Sequence, residues 1–336
     1  MGPTGIPFND IRALATMLPP PDGEAMAAVT ARTARLAKPV GDLGRLAEIA
    51  IWLAGWQGRP MPEVTRPLVA VFAAAHGVAG HNIAALPSAA GPAQLADLAA
   101  GGGAINALCA SADIGLKMFE LALEVPTRDF TVEAALDERD CAATMAFGME
   151  ALAGGTDLLC LGEIGIGNKV AAAAMARALF GGATADWIGP PEGADAALRA
   201  RQAAVIDQAL GLHGPFLADP LEVLRRLGGR EIAAAAGAIL AARLQRIPVI
   251  LDGFAITAAA AVLHRLAPDA LDHCLAGHVS AEPGHRRLLA LLGKPPLLDL
   301  GMDLGQGTGA ALAAGIVRAA VACHRDMAEG ETQTLN

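Results

Sequence analysis

Five short apolar runs punctuate the chain: LVAVFAAA (68–75), DLLCLGEIG (157–165), IPVILDGF (247–254), HCLAGHV (273–279) and PLLDLGM (296–302). They are continuous rather than alternating, as strands covered on both faces must be. Between them lie Ala/Leu-rich segments of helical period. This alternation predicts an α/β fold, a parallel sheet flanked by helices. Both ends of the chain read as helical. GDLGRLAEIAIWLAGWQG (41–58) has apolar residues at helical spacing with Gly just past its end, and the stretch from Ala310 to about Met327 is similar. The expected division is a small helical region of residues 1–60 plus 310–336 and a large α/β domain of 61–309. Segment 181–200 reads as a Gly/Pro/Asp-rich loop between helices, and the tail EGETQTLN as disordered.

Each apolar run ends in a Gly-containing turn with polar groups: AHGVAGH, GEIGIGN, DGFAIT, GHVSAEPGH and GMDLGQGTG. In open parallel sheets ligands bind beyond the carboxyl ends of the strands. Five such turns on one edge predict a single small-molecule crevice.

Composition narrows the class. Hydrophobic residues make up 54% and aromatics only 3%, with no Tyr, so the interior is built from small aliphatic side chains that let helices sit close on a sheet. Mean hydropathy is positive, yet no apolar run reaches the ~20 residues of a spanning helix. The Ala-rich stretch 233–242, for example, is bounded by Arg230, Glu231 and Arg243. The N-terminus shows no basic, then apolar, secretory pattern, so a cytoplasmic protein away from membranes is expected. A net charge of −9 without Lys/Arg runs argues against a nucleic-acid partner. The five cysteines form no Cys-x-x-Cys pair, and each is read as a small buried hydrophobe.

The turns carry the candidate chemistry. Around Glu163, Gly165 and Gly167 a strand passes through a Gly-rich turn into a helix whose free N–H groups suit a phosphate. The dinucleotide fingerprint fails, because Val170 stands where a third Gly is needed. Glu163 reads as functional, since a buried unpaired acid is costly. In the 303–315 turn, Gly305, Gly307 and Gly309 keep the backbone near a ligand, or Thr308 merely caps a helix; spacing leaves both open. His278, Ser280, Glu282 and His285 cluster beside one strand end, but Pro283–Gly284 interrupts them, so hydrogen bonding in a turn is expected rather than a metal site. His76 and His81 follow the first strand. No Gly-x-Ser-x-Gly elbow occurs, which sets a Ser/His/Asp hydrolase aside.

Taken together, GDLGRLAEIAIWLAG, VAVFAAAHGV, GGGAINALC, DLLCLGEIGIGN, PLEVLRRLGGREIAAAAGAIL, IPVILDGFAITAAA, HVSAEPGHRRLLALLG and PLLDLGMDLGQGTGAALA resemble, in order over roughly residues 40–320, the nicotinate-nucleotide:dimethylbenzimidazole phosphoribosyltransferase family. The resemblance implies a Rossmann-like large domain, a small helical domain from both chain ends and a homodimer. It implies transfer of ribose 5-phosphate from nicotinate mononucleotide to a benzimidazole-type base, giving α-ribazole 5′-phosphate and nicotinate in cobalamin nucleotide-loop assembly, with no metal or organic cofactor.

By the same resemblance the proton-accepting Glu of the family falls on Gln306, and Glu163 lies near the ribose. Gly165, Gly167, Asn168, Lys169 and Gln202 fall on the phosphate and ribose side. Ser280, Leu304, Gly307, Thr308, Gly309, Ser88 and His76 fall around the nicotinate and the acceptor base. Several positions depart from the family pattern. Gln306 replaces a carboxylate with an amide of no useful basicity. Ala75 stands for Asp, Ser88 for the acceptor-pocket Gln, and Gln202 for Lys, with Arg201 adjacent. Lys169 is a new cation beside the phosphate turn, and IGPPEG (188–193) replaces a Gly-rich loop. Two readings follow: a divergent enzyme with altered rate or acceptor choice, in which Glu163 or a water takes the proton, or a non-catalytic paralogue that binds a nucleotide, a base or a protein partner.

Overall fold

The computed structural model describes residues 6–38, 40–84, 86–87, 90–189 and 195–330. Six parallel strands form one sheet in the order β2-β1-β3-β4-β5-β6. The predicted class is therefore the observed one.

The chain opens with α1 (Pro7–Ala15), α2 (Gly23–Arg35) and α3 (Arg45–Gln57). Asp22 starts α2 by accepting a hydrogen bond from Ala25 N at 3.0 Å, and Gly58, in the left-handed region at φ +63°, ends α3. Strand β1 (Pro67–Ala75) leads through α4 (Ala90–Ala99) and α5 (Ala104–Ser111) to β2 (Gly115–Glu120), then α6 (Glu138–Met149). Next come β3 (Leu158–Ile166), α7 (Asn168–Phe180), α8 (Ala185–Ile188), α9 (Ala196–His213), α10 (Pro220–Leu227) and α11 (Arg230–Leu244). Strand β4 (Val249–Leu251), α12 (Phe254–Leu266), β5 (Cys274–His278), α13 (Pro283–Leu291), β6 (Pro296–Leu298) and α14 (Thr308–Asp326) complete the fold.

Strand β1, paired on both sides by β2 and β3, shows why its run is unbroken. Leu68, Ala70, Phe72 and Ala74 face a core built with α6, α7, α11 and α12. Val69, Val71 and Ala73 face a second core with α3 and α14. Burial on both faces removes any polar alternation. α2 packs on α3, α3 on α14, and α14 lies along the sheet. The scarcity of large side chains has its consequence at the α6–α11 crossing. There a Cβ on Gly237 would stand 1.9 Å from Met145 O, and one on Gly148 1.9 Å from Ala234 O.

Three expectations need correction. Strand β2 is absent from the predicted strands: it is an edge strand, GLKMFE, whose residues are exposed or half-buried, so it has no continuous apolar run. Strands β4 and β6 are three residues each, not eight and seven, because the chain turns into the crevice loops at Asp252 and Asp299. Within 181–200, residues 185–188 form the short helix α8, and 190–194 lie outside the described residues. Residues 331–336 of the tail lie outside them too. Four cysteines are buried as expected, whereas Cys323 is half-buried on α14.

Candidate active site

The carboxyl ends of the strands open into a cavity of about 460 Å³. Its floor is the end of β3. Gly167, at φ +96°, turns the chain so that α7 begins at the cavity wall. Glu163 faces this space. Its carboxyl is pushed up to about 8, first by burial and then by Glu231, Asp252 and Glu282, with Lys169 opposing. Asn168 Nδ2 donates to Glu163 Oε2, while Asn168 Oδ1 accepts from Lys169 N at 2.8 Å. The amide is thereby locked, and it aims the carboxyl.

Lys169 Nζ lies 2.5 Å from Glu282 Oε1 and also pairs with Asp303. Burial lowers the affinity of Lys169 for its proton, but the two carboxylates outweigh it and the net shift is upward. The three side chains tie α7 to the loops after β5 and β6.

Ser280 lies in the wall against His285. The ring Nδ1 accepts from Ser280 N at 2.9 Å and lies 2.8 Å from Ser280 Oγ. This leaves Nε2–H to donate to Thr257 Oγ1 at 2.9 Å, and Thr257 Oγ1 donates to Gly253 O at 2.9 Å. Burial lowers His285 to about 3, with His278 adding to the shift. A neutral imidazole without a carboxylate behind it does not activate Ser280 as a nucleophile; it holds the side chain in place.

Gln306 stands on the facing loop in the left-handed region, at φ +63°, and its N donates to Glu163 O at 3.2 Å. Its position is set from below by Asp252. Oδ2 accepts from Gly307 N at 3.0 Å and Oδ1 from Ala310 N at 2.9 Å, so a strand-end carboxylate caps α14 from another element.

Of the residues picked out from the sequence, Glu163, Gly165, Gly167, Asn168, Lys169, Gln202, Ser280, Leu304 and Gln306 all line the cavity. Gln202 spends its amide on Ile83 O, at 2.8 Å. Gly307, Thr308 and Gly309 lie behind the wall. A Cβ on Gly309 would stand 2.1 Å from His278 Cδ2, and Thr308 Oγ1 donates to Gly305 O at 2.8 Å. Thr308 is therefore not the cap: Gly307 is the N-cap residue of α14, and the Thr308 hydroxyl folds back on its own turn. His76 is buried beneath Gly165, 2.6 Å from Glu231 Oε1. Ser88 lies outside the described residues. Arg201 binds Asn82 O at 3.1 Å and stays out of the cavity. Among the described residues no three His, Cys, Asp or Glu side chains are grouped to hold a metal ion.

The sequence reading passes over Asp252, Glu231, Asp303 and Arg199. Asp252 has a signal, an acid at a buried strand end like Glu163. Arg199 has one as well, lying three residues before Gln202 on one helix face. Glu231 has none, since its partner is 155 residues away.

A family model described as a phosphoribosyltransferase matches residues 18–334. The nicotinate-nucleotide–dimethylbenzimidazole phosphoribosyltransferase of Brucella canis is 61% identical over 331 residues, 98% of both chains. The chain belongs to this phosphoribosyltransferase family. The enzyme of the same name from Rhizobium etli is also 61% identical, over 98% of this chain and 97% of its own. A crystal structure of the Thermus thermophilus enzyme superposes with a TM-score of 0.81 at 37% identity, covering 92% of this chain and 97% of that one. The cavity lies at the carboxyl ends of the parallel strands, where open α/β sheets bind their ligands.

Proposed function

We propose that this phosphoribosyltransferase moves ribose 5-phosphate from nicotinate mononucleotide to a ring nitrogen of a benzimidazole-type base, releasing nicotinate and forming α-ribazole 5′-phosphate. The observation that carries the reading is the Glu163 carboxyl, oriented by Asn168 and raised to about 8, at the floor of the strand-end cavity. The donor ring is already cationic. When its bond to the anomeric carbon breaks, the electron pair goes to the ring nitrogen, which leaves neutral. The acceptor nitrogen forms the new bond on the opposite face, so configuration inverts. The acceptor ring becomes cationic and gives up its N–H proton to Glu163. A carboxylate of raised basicity suits that transfer, and the cationic donor ring beside it favours ionised Glu163 before reaction.

Gln306 offers hydrogen bonds but no base, so Glu163 carries the proton here. Ile83, Leu86, Phe254 and Leu304 supply an apolar wall for a flat heterocycle. The reading extends to a homodimer working in the cytoplasm. No helix among the described residues is long and apolar enough to cross a membrane, and light scattering that returns a single-chain mass would overturn the dimer. A non-catalytic paralogue has less support, because relatives at 61% identity over nearly the whole chain carry the enzyme's name.

The test is incubation of pure protein with nicotinate mononucleotide and a panel of benzimidazoles, following nicotinate and the ribotide by chromatography. Time-dependent formation of both in equal amounts is expected. Release of neither at high enzyme concentration would overturn the proposal.

A further inference from the structure

Among the described residues, the cavity wall carries four acids, Glu163, Asp195, Glu282 and Asp303, against two cations, Lys169 and Arg199. A phosphate dianion entering such a wall needs a positive partner that is not already spent. Lys169 is bound to Glu282 and Asp303. Gln202, where the family pattern has its Lys, is neutral, and its amide N–H is taken by Ile83 O.

Arg199 is different. It is half-buried in the wall, and it has neither a hydrogen bond nor an ion pair with any of the described residues. Its guanidinium lies against the backbone of Gly189, where an added Cβ would stand 3.5 Å from Cζ and Nη1. It sits in the first turn of α9, where a cation opposes the helix dipole. That local cost is reversed when an anion binds between the guanidinium and the helix start. The planar fork matches two phosphate oxygens at once, which an ammonium does not.

From this geometry we infer that Arg199 anchors the 5′-phosphate of the ribosyl donor, one helical turn from the neutral Gln202. The inference deepens the proposed reaction and rests on it. Arg199 is a binding residue for a part of the donor remote from the bond that breaks.

The experiment compares nicotinate mononucleotide with nicotinate riboside, the same donor without its phosphate. Arg199→Gln is expected to raise KM for the mononucleotide by roughly tenfold to a hundredfold, the worth of a charged hydrogen-bonded contact. KM for the riboside and for the acceptor base should stay within about twofold of wild type. Arg199→Lys should recover part of the loss, and Lys169→Gln should leave the preference for the phosphorylated donor largely in place. Retention of the full preference in Arg199→Gln, or its collapse in Lys169→Gln alone, overturns the assignment. Because removing the Arg199 guanidinium orphans no partner among the described residues, the variant should melt at the wild-type temperature, and the Lys variant serves if it does not. Wild-type protein that releases no nicotinate sinks the proposed reaction instead. Calorimetry with inorganic phosphate then decides the arginine separately: binding by wild type and not by Arg199→Gln supports it, and equal binding or none overturns it.

Discussion

Glu163 concentrates the chemistry and can be tested alone. Replacing it with Gln should lower turnover by roughly 10²–10⁴-fold, the usual worth of general-base catalysis, with an unchanged circular dichroism spectrum. In the wild type, kcat/KM, which reports the free enzyme, should climb with pH and level off above about 8, because the ionised carboxylate does the work. A flat profile from pH 6 to 9 would remove Glu163 from that role. The same group acts on stability. The unfolded chain releases this proton near the ordinary Glu value of ~4.3, whereas the folded chain keeps it to about 8. The native state therefore binds more protons across that window, and stability is complete below it and falls as pH rises through it. Thermal melts from pH 5 to 9 should show the decline, reduced in Glu163→Gln. On the facing loop, Gln306→Glu restores a carboxylate, and turnover at pH 7 should rise by roughly tenfold or more. No gain would mean that position 306 does not meet the ring N–H.

At the scale of elements, two contacts hold the crevice in shape. Asp252 accepts the Gly307 and Ala310 N–H groups and so seats the start of α14 against the end of β4. Asp252→Ala leaves both donors without their acceptor. The expected cost in urea unfolding is roughly 3–6 kcal/mol, from two hydrogen bonds to a carboxylate at about 1.5–3 kcal/mol each. The α6–α11 crossing is equally strict. Gly237→Ala would set a methyl 1.9 Å from Met145 O, and overpacking of that kind costs about 1–3 kcal/mol. These elements also show how far pattern reading reaches. The runs that form β1, β3 and β5 are legible because burial on both faces makes them continuous. Strand β2 is not, since Lys117 and Glu120 on an exposed edge look like loop. The ends of β4 and β6 escape the pattern because apolar residues run on past the last ladder bond into the turns.

For the molecule as a whole, ligand binding at the strand-end crevice joins loops from five strands. Binding to the folded state alone stabilises it by mass action, so nicotinate mononucleotide at a hundred times its dissociation constant should add about 2.7 kcal/mol, read as a rise in melting temperature. No shift at saturating ligand would contradict a preformed site. Period and composition alone determined that a small-residue parallel sheet forms with its Gly-rich turns on one rim, because those depend only on local geometry and burial. They also pointed to Glu163, since an acid at a buried strand end has few structural uses. Only the tertiary structure decided which polar groups look into the crevice and which stand behind it. His76, Thr308 and Gly309 share the local signature of Asn168 and Ser280, yet they face inward against Glu231, Gly305 and His278. Arg199 shares a helix face with Gln202 in the sequence, but the tertiary structure alone showed Lys169 already tied to Glu282 and Asp303, the latter 134 residues away. Side-chain direction at a turn is set by partners distant along the chain, and no local pattern encodes them.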